Sequence, residues 1–205
     1  MKKTNLTGWL ASVALFALVQ PAFAGPLEDG ERAYQIGDYA TALRIWRSMA
    51  RAGYAPAQND IGMMYAQGLD VPLDRDMAKL WYGKAAAQGF AMAQLNLGDM
   101  LADPQGRTPH YDQAAEFYRK AADQGLGAAQ RRLGVLYRDG RGVERDPVKA
   151  LTWFDIAATH GPVGDYQGRA EAAKLKSELS AKLSPAQVAE AENQARSWVK
   201  VENPD

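Results

Sequence analysis

A 36-residue period governs most of this chain. Ala57-Gln58-Asn59-Asp60-Ile61-Gly62 returns as Ala93-Gln94-Leu95-Asn96-Leu97-Gly98, and again as Ala129-Gln130-Arg131-Arg132-Leu133-Gly134. The ring pairs Trp81-Tyr82, Phe117-Tyr118 and Trp153-Phe154 keep the same phase. So do the alanine pairs at 85–86, 121–122 and 157–158, and Gly89, Gly125 and Gly161. No gap is needed from 57 to 164. The first and third units share 12 of 36 positions, where ordinary residue usage gives about 2 or 3 by chance. A period of this length means a stack of small units, each burying its apolar face only against its neighbours. It excludes a single compact core.

Each unit reads as two antiparallel helices. Ala57, Ile61, Gly62 and Tyr65 fall on one face of the first. Gly62 lies mid-helix, where glycine costs ~1 kcal/mol against alanine. Its recurrence implies close approach of a neighbouring helix. Gly68 and Gly140 are placed to end that helix, and Asp74 and Asp146 to cap the next, with Pro147 at its first position. The second helix carries Ala78, Trp81, Tyr82, Ala85 and Ala86 on one face. Trp81, Phe117 and Trp153 are expected to be core rings lying over alanine pairs of the next helix, not a ladder for sugars.

Upstream, Ala33 to Ala42, with Gly37-Asp38-Tyr39 as a tighter turn, opens another pair whose second helix aligns through Ala42, Trp46, Ala50 and Gly53. The middle unit departs from its siblings: Leu101 replaces the Tyr, and residues 103–109 replace the Gly-Val loop at equal length. After Asp165 the period stops. Ala172, Leu175 and Leu179, then Ser184-Pro185-Ala186-Gln187 as a capping box, then Val188, Ala191, Ala195 and Trp198, read as two more helices. A solenoid needs such an atypical terminal element to cover its last exposed face. The expected fold is an all-α, right-handed α-solenoid of four helix pairs over 25–164, with units at about 28–56, 57–92, 93–128 and 129–164. Capping helices follow over 165–205.

The first 24 residues read as an export signal. Met1-Lys2-Lys3 is a short positive start, Trp9 to Val19 is uncharged and apolar apart from Ser12, and Ala22 and Ala24 stand at −3 and −1 of a cut before Gly25. The apolar run has eleven residues, too short to span ~30 Å of hydrocarbon as a helix. The expectation is a periplasmic or secreted protein with no transmembrane segment once the signal is cleaved. Cleavage would change 24 basic against 24 acidic residues into 22 against 24. That balance offers no basic footprint for nucleic acid.

These residues resemble Sel1-like repeats, relatives of the tetratricopeptide repeat. The third unit carries the pattern almost throughout: Ala129, Leu133-Gly134, Tyr137, Gly140-Arg141-Gly142-Val143, Asp146, Lys149-Ala150, Trp153-Phe154, Ala157-Ala158 and Gly161. The first unit matches nearly as well. The opening pair is closer to the tetratricopeptide form. The resemblance implies binding: a non-enzymatic scaffold or adaptor for a protein or peptide partner in the bacterial envelope. Some secreted members are described as penicillin-binding or weakly β-lactam-hydrolysing, but those are cysteine-rich. This chain has no Cys, so that activity does not carry over. The alternative reading is a peptidoglycan- or polysaccharide-binding protein, or a weak hydrolase of β-lactams or peptidoglycan.

Carried over from tetratricopeptide grooves, the concave lining comprises Asn59, Met63 and Gln67, then Leu95, Asp99 and Asp103, then Arg131, Val135 and Arg138. Two acids, two arginines and apolar side chains between them would suit an extended or helical peptide bearing both charge signs. No catalytic, cofactor or metal site is expected. The two histidines have no i, i+4 pairing; His110 falls at a helix start and His160 at a helix end. Gly140-Arg141-Gly142 follows a helix rather than a strand, so it is no dinucleotide fingerprint. Neither a phosphate-binding loop nor a Gly-x-Ser-x-Gly elbow occurs.

Overall fold

The computed structural model describes residues 25–103, 108–162 and 164–201. The expected signal segment, and residues 104–107 of the divergent loop, lie outside the described residues. Ten α-helices follow one another, with no strand among the described residues: α1 (Pro26–Gln35), α2 (Tyr39–Arg51), α3 (Ala55–Gln67), α4 (Arg75–Ala87), α5 (Ala91–Ala102), α6 (Tyr111–Asp123), α7 (Gly127–Asp139), α8 (Pro147–His160), α9 (Tyr166–Ser180) and α10 (Pro185–Ser197). Consecutive helices pack pairwise from α1 to α8, giving an α-solenoid. Both α9 and α10 pack on α8 and cover the end of the stack.

The recurring mid-helix glycine is explained by one device. A methyl group on Gly62 would lie 2.7 Å from the Tyr82 ring, one on Gly98 2.6 Å from Tyr118, and one on Gly134 2.6 Å from Phe154. The ring of each second helix therefore lies flat on the backbone of the first helix in its own unit. Gly30 and Trp46 repeat the device in the opening pair. Their spacing is 16 residues instead of 20, because the α1–α2 turn is four residues shorter. This corrects one expectation. The ring lying on the glycine, and the deeply buried member of each pair, is the second: Tyr82, Tyr118 and Phe154 are at most 5% exposed, whereas Trp81, Phe117 and Trp153 are half-buried. Neighbouring residues on a helix point about 100° apart, so only one of each pair can face the glycine.

Units are joined by a buried glutamine. Gln58 Nε2 donates to the Ala50 carbonyl (3.2 Å), Gln94 to Ala86 (3.4 Å) and Gln130 to Ala122 (3.1 Å). Each bond adds a second donor to a carbonyl in the last turn of the preceding helix, which already accepts from the N–H of Gly53, Gly89 or Gly125. Gln88 and Gln124 donate in turn to Gln58 Oε1 and Gln94 Oε1.

The helix ends follow the sequence signals. Gly68 and Gly140 close α3 and α7 at φ +69° and +67°. Asp74 and Asp146 accept backbone N–H bonds at the starts of α4 and α8. The divergent middle loop closes through the same backbone bond as its siblings: His110 N–H to Leu101 O, as Asp74 to Tyr65 and Asp146 to Tyr137. Gly53, Gly89 and Gly125 turn between units with φ near +90°. Gly161 does not; it is extended at φ −57°, ψ 156°. Pro162 follows it and holds the preceding residue extended, so the chain leaves the repeat there and enters the cap.

Candidate functional site: the groove of first helices

The first helices α1, α3, α5 and α7 meet through side chains from unit to unit: Tyr34 with Gln67, Asn96 with Asn59 and Arg132 with Asp99. Two registers matter. One is the residue after the ring-bearing glycine: Glu31, Met63, Asp99 and Val135. The other lies two residues before the glycine: Asp60, Asn96 and Arg132. Side chains of the second register reach toward the preceding unit.

At the C-terminal end this reach gives a charge pair. Arg132 Nε donates to Asp99 Oδ1 at 2.9 Å, and the Tyr118 hydroxyl donates to the same oxygen at 2.7 Å. Burial, then the bond to Asp99, push the Tyr118 hydroxyl well above its ordinary pKa. In the middle, Asn96 Nδ2 donates to Asn59 Oδ1 at 2.9 Å. At the N-terminal end, the same register brings Asp60 under the influence of Glu31. Burial, reinforced by Glu31, pushes the Asp60 carboxyl up to about 6, against a donor bond from Asn59 at 3.2 Å. No cation pairs with Asp60 among the described residues, whereas Asp99 is matched by Arg132, Asp103 by Arg75 and the buried Asp155 by Lys176.

The residues expected to line the groove divide three ways. Met63, Gln67, Asp99 and Val135 reach the surface of the first helices. Asn59 and Leu95 are 6% and 8% exposed and lie between the helices. The remaining three are engaged by the chain itself. Asp103 pairs with Arg75 at 3.0 Å, and Arg138 with Asp139 at 2.7 Å. Arg131 is held by α9, with Glu171 at 3.2 Å and Asp165 at 3.7 Å. The cap thus closes over the C-terminal end of the row of first helices. Glu171 and Leu175 of α9 close a pocket of about 230 Å³ with Leu95, Asp99, Arg132 and Val135. Asp60, Asn96 and Arg132, absent from the expected lining, are its recurring polar register. The sequence signal that locates them is the constant offset from the glycine.

His110 stands at the start of α6 without donating or accepting a side-chain cap bond. His160 ends α8, with its Nδ1 2.8 Å from the Thr159 hydroxyl and its ring edge-on to Trp198. Among the described residues no group of three or more His, Asp or Glu side chains is placed to hold a metal ion. No helix among them is long and apolar enough to cross a membrane.

The Sel1 repeat profile matches residues 55–90, 91–126 and 127–162, more than half of the chain. The chain belongs to the Sel1 repeat family, whose repeats are in general scaffolds for protein–protein interaction. Among solved structures, it is 29% identical to a Sel1 repeat protein from Oxalobacter formigenes, with a TM-score of 0.62 over 82% of this chain and 74% of that one. It is also 29% identical to a protective antigen of uropathogenic Escherichia coli strains displaying an SLR fold, with a TM-score of 0.52 over 84% of this chain and 44% of that one. The present chain therefore spans less than half of the second protein. No curated protein matches it.

Proposed function

We propose that this protein is an exported, non-enzymatic scaffold of the bacterial envelope. Its groove of first helices binds a protein or peptide partner and seats a cationic side chain of that partner at Asp60. The observation that carries this reading is the unmatched carboxylate. A half-buried acid held against a second acid costs stability in the free protein, and perturbed carboxyls of this kind concentrate at functional sites. A lysine or arginine brought by a partner would replace the missing counter-charge. The α9 contacts lie at the α7 end of the groove, away from Asp60. Export rests on the Lys2-Lys3, Trp9–Val19 and Ala22/Ala24 pattern. It predicts a mature N-terminus at Gly25, which N-terminal sequencing of the envelope protein would read directly.

The binding test starts with proximity labelling in the intact envelope, followed by calorimetric titration of the recovered partner. Asp60→Asn is expected to weaken binding by at least tenfold. Unchanged affinity would reject the seat at Asp60, and recovery of no specific protein would reject the scaffold reading. Sedimentation with purified peptidoglycan sacculi, beside a β-lactam turnover assay, separates the alternative reading.

A further inference from the structure

The outer face of α2 differs from that of every other second helix. Arg44, Arg47 and Arg51 lie along it, opposite the buried Trp46, and α2 contains no acidic residue. All three arginines are exposed, and none forms an ion pair among the described residues. On α6 and α8 the bases have acids at hand. Lys149 at the start of α8 pairs with Asp146 at 3.1 Å, and α6 sets Asp112, Glu116 and Asp123 among Arg119 and Lys120. The arginines of α2 border an open trough of about 460 Å³, with Leu43, only 3% exposed, at its floor and Asp70 of the α3–α4 loop at its rim. From Arg44 to Arg51 the row is about 10 Å long, at 1.5 Å per helical residue. Asp38, the N-cap of α2, is already engaged: bonds from the Thr41 hydroxyl and N–H hold its carboxylate below the usual range, with Arg44 contributing least.

We infer that this trough is a second interaction surface, separate from the groove of first helices, and that it takes an acidic segment of a protein. Guanidinium groups present forked donors that match carboxylates two bonds at a time. Three of them in a row fit carboxylates recurring at i, i+4 and i+7 on a helix laid along α2. A recessed floor favours a protruding segment over a flat anionic membrane. At a membrane, three arginines would supply only about 1 kcal/mol each, with no exposed apolar anchor in the trough to add to them. Two carrying surfaces would let one rod join two partners.

The test uses the full mature chain and a fluorescent 15-residue Ala-rich helical peptide with Glu at i, i+4 and i+7. Anisotropy is compared for wild type, R44Q/R47Q/R51Q, and K79Q/K84Q, which neutralises the neighbouring α4. All five positions are exposed, and thermal melting verifies that each variant is folded. The expected result is at least tenfold weaker binding, with a shallower salt dependence, for the arginine variant alone. The inference is overturned by equal loss in both variants, by loss in neither, or by no wild-type binding at 1 mM peptide. Co-sedimentation with phosphatidylglycerol vesicles that disappears in R44Q/R47Q/R51Q would also overturn it, in favour of a membrane surface.

Discussion

The two ends of the groove are built on the same plan and carry opposite chemistry. In both, the residue two before the ring-bearing glycine interacts electrostatically with the residue after the glycine of the preceding unit. At the C-terminal end Arg132 meets Asp99 at 2.9 Å, and α9 then folds over Arg131. At the N-terminal end burial, with Glu31 adding to it, raises the Asp60 carboxyl to about 6. One scaffold register therefore serves self-satisfaction at one end and leaves charge unsatisfied at the other. Since the backbone device is the same, the difference lies wholly in side chains. A repeat protein can thus reserve one stretch of an otherwise uniform surface for a partner without altering its fold.

The largest effect is expected where the two ends share their packing. Trp46 lies on Gly30 and Phe154 on Gly134, both 0–1% exposed. Truncating either ring to alanine should destabilise by about 3–5 kcal/mol in urea denaturation. If Trp46→Ala proved nearly neutral while Phe154→Ala did not, the two ends would not share a foundation. Trp153→Ala should cost clearly less than Phe154→Ala, because the Trp153 ring is half-buried.

Next in size is Asp60→Asn. Asp60 binds its proton more tightly in the folded protein than in the unfolded chain. Its contribution to stability is therefore greatest below about pH 4, declines as pH rises toward about 6, and is flat above that. Removing the carboxylate should raise stability at pH 7.5 by on the order of 2 kcal/mol and change little at pH 4. Melting temperatures at the two pH values check this. Equal shifts at both would show that desolvated charge is not the cause. Stability gained with binding lost would place Asp60 among sites where function opposes stability.

The fold was legible because the repeat is in phase. Gly62, Gly98 and Gly134 announce a close helix approach, and Asp74 and Asp146 announce the helix starts. What lay beyond reach was which way each helix is rolled. Trp81 and Tyr82 are adjacent rings, and nothing in either residue says which one faces Gly62; only the packed pair decides it. The same roll put Asn59 and Leu95 between the helices and brought Asp60, Asn96 and Arg132 into the groove as its recurring polar register. The fate of Arg131 depended on a contact from outside the period. Asp165 and Glu171 belong to the cap, and no repeat pattern could pair them with α7. The first unit's Gly30 was readable in principle, once the four-residue shortening of its turn is allowed for.

A smaller effect tests the closed end. Arg131→Gln removes a mostly buried guanidinium from Asp165 and Glu171, and should cost about 1–2 kcal/mol. Amide exchange in α9 should quicken more than in α3. Arg132→Gln removes a pair whose members are 59% and 40% exposed, so its cost should stay below about 1 kcal/mol. Were it the larger of the two, the ladder and not the cap would hold this end.

The finest measurement addresses the N-terminal end itself, by following the titration of Asp60 with carboxyl-carbon NMR. Burial comes first among the causes that raise its pKa, the Asn59 amide opposes it by donating to the charged form, and Glu31 adds to it. Glu31→Gln should therefore move the midpoint down from about 6, but not all the way to the ordinary carboxylate range, since burial remains. Asn59→Ala should move it up. A cationic partner seated at Asp60 must lower it more than Glu31→Gln does, because it supplies opposite charge rather than merely removing like charge. A midpoint that ignores Glu31 would mean that the two acids do not share the register, and the contrast between the two ends would reduce to the depth at which Asp60 is buried.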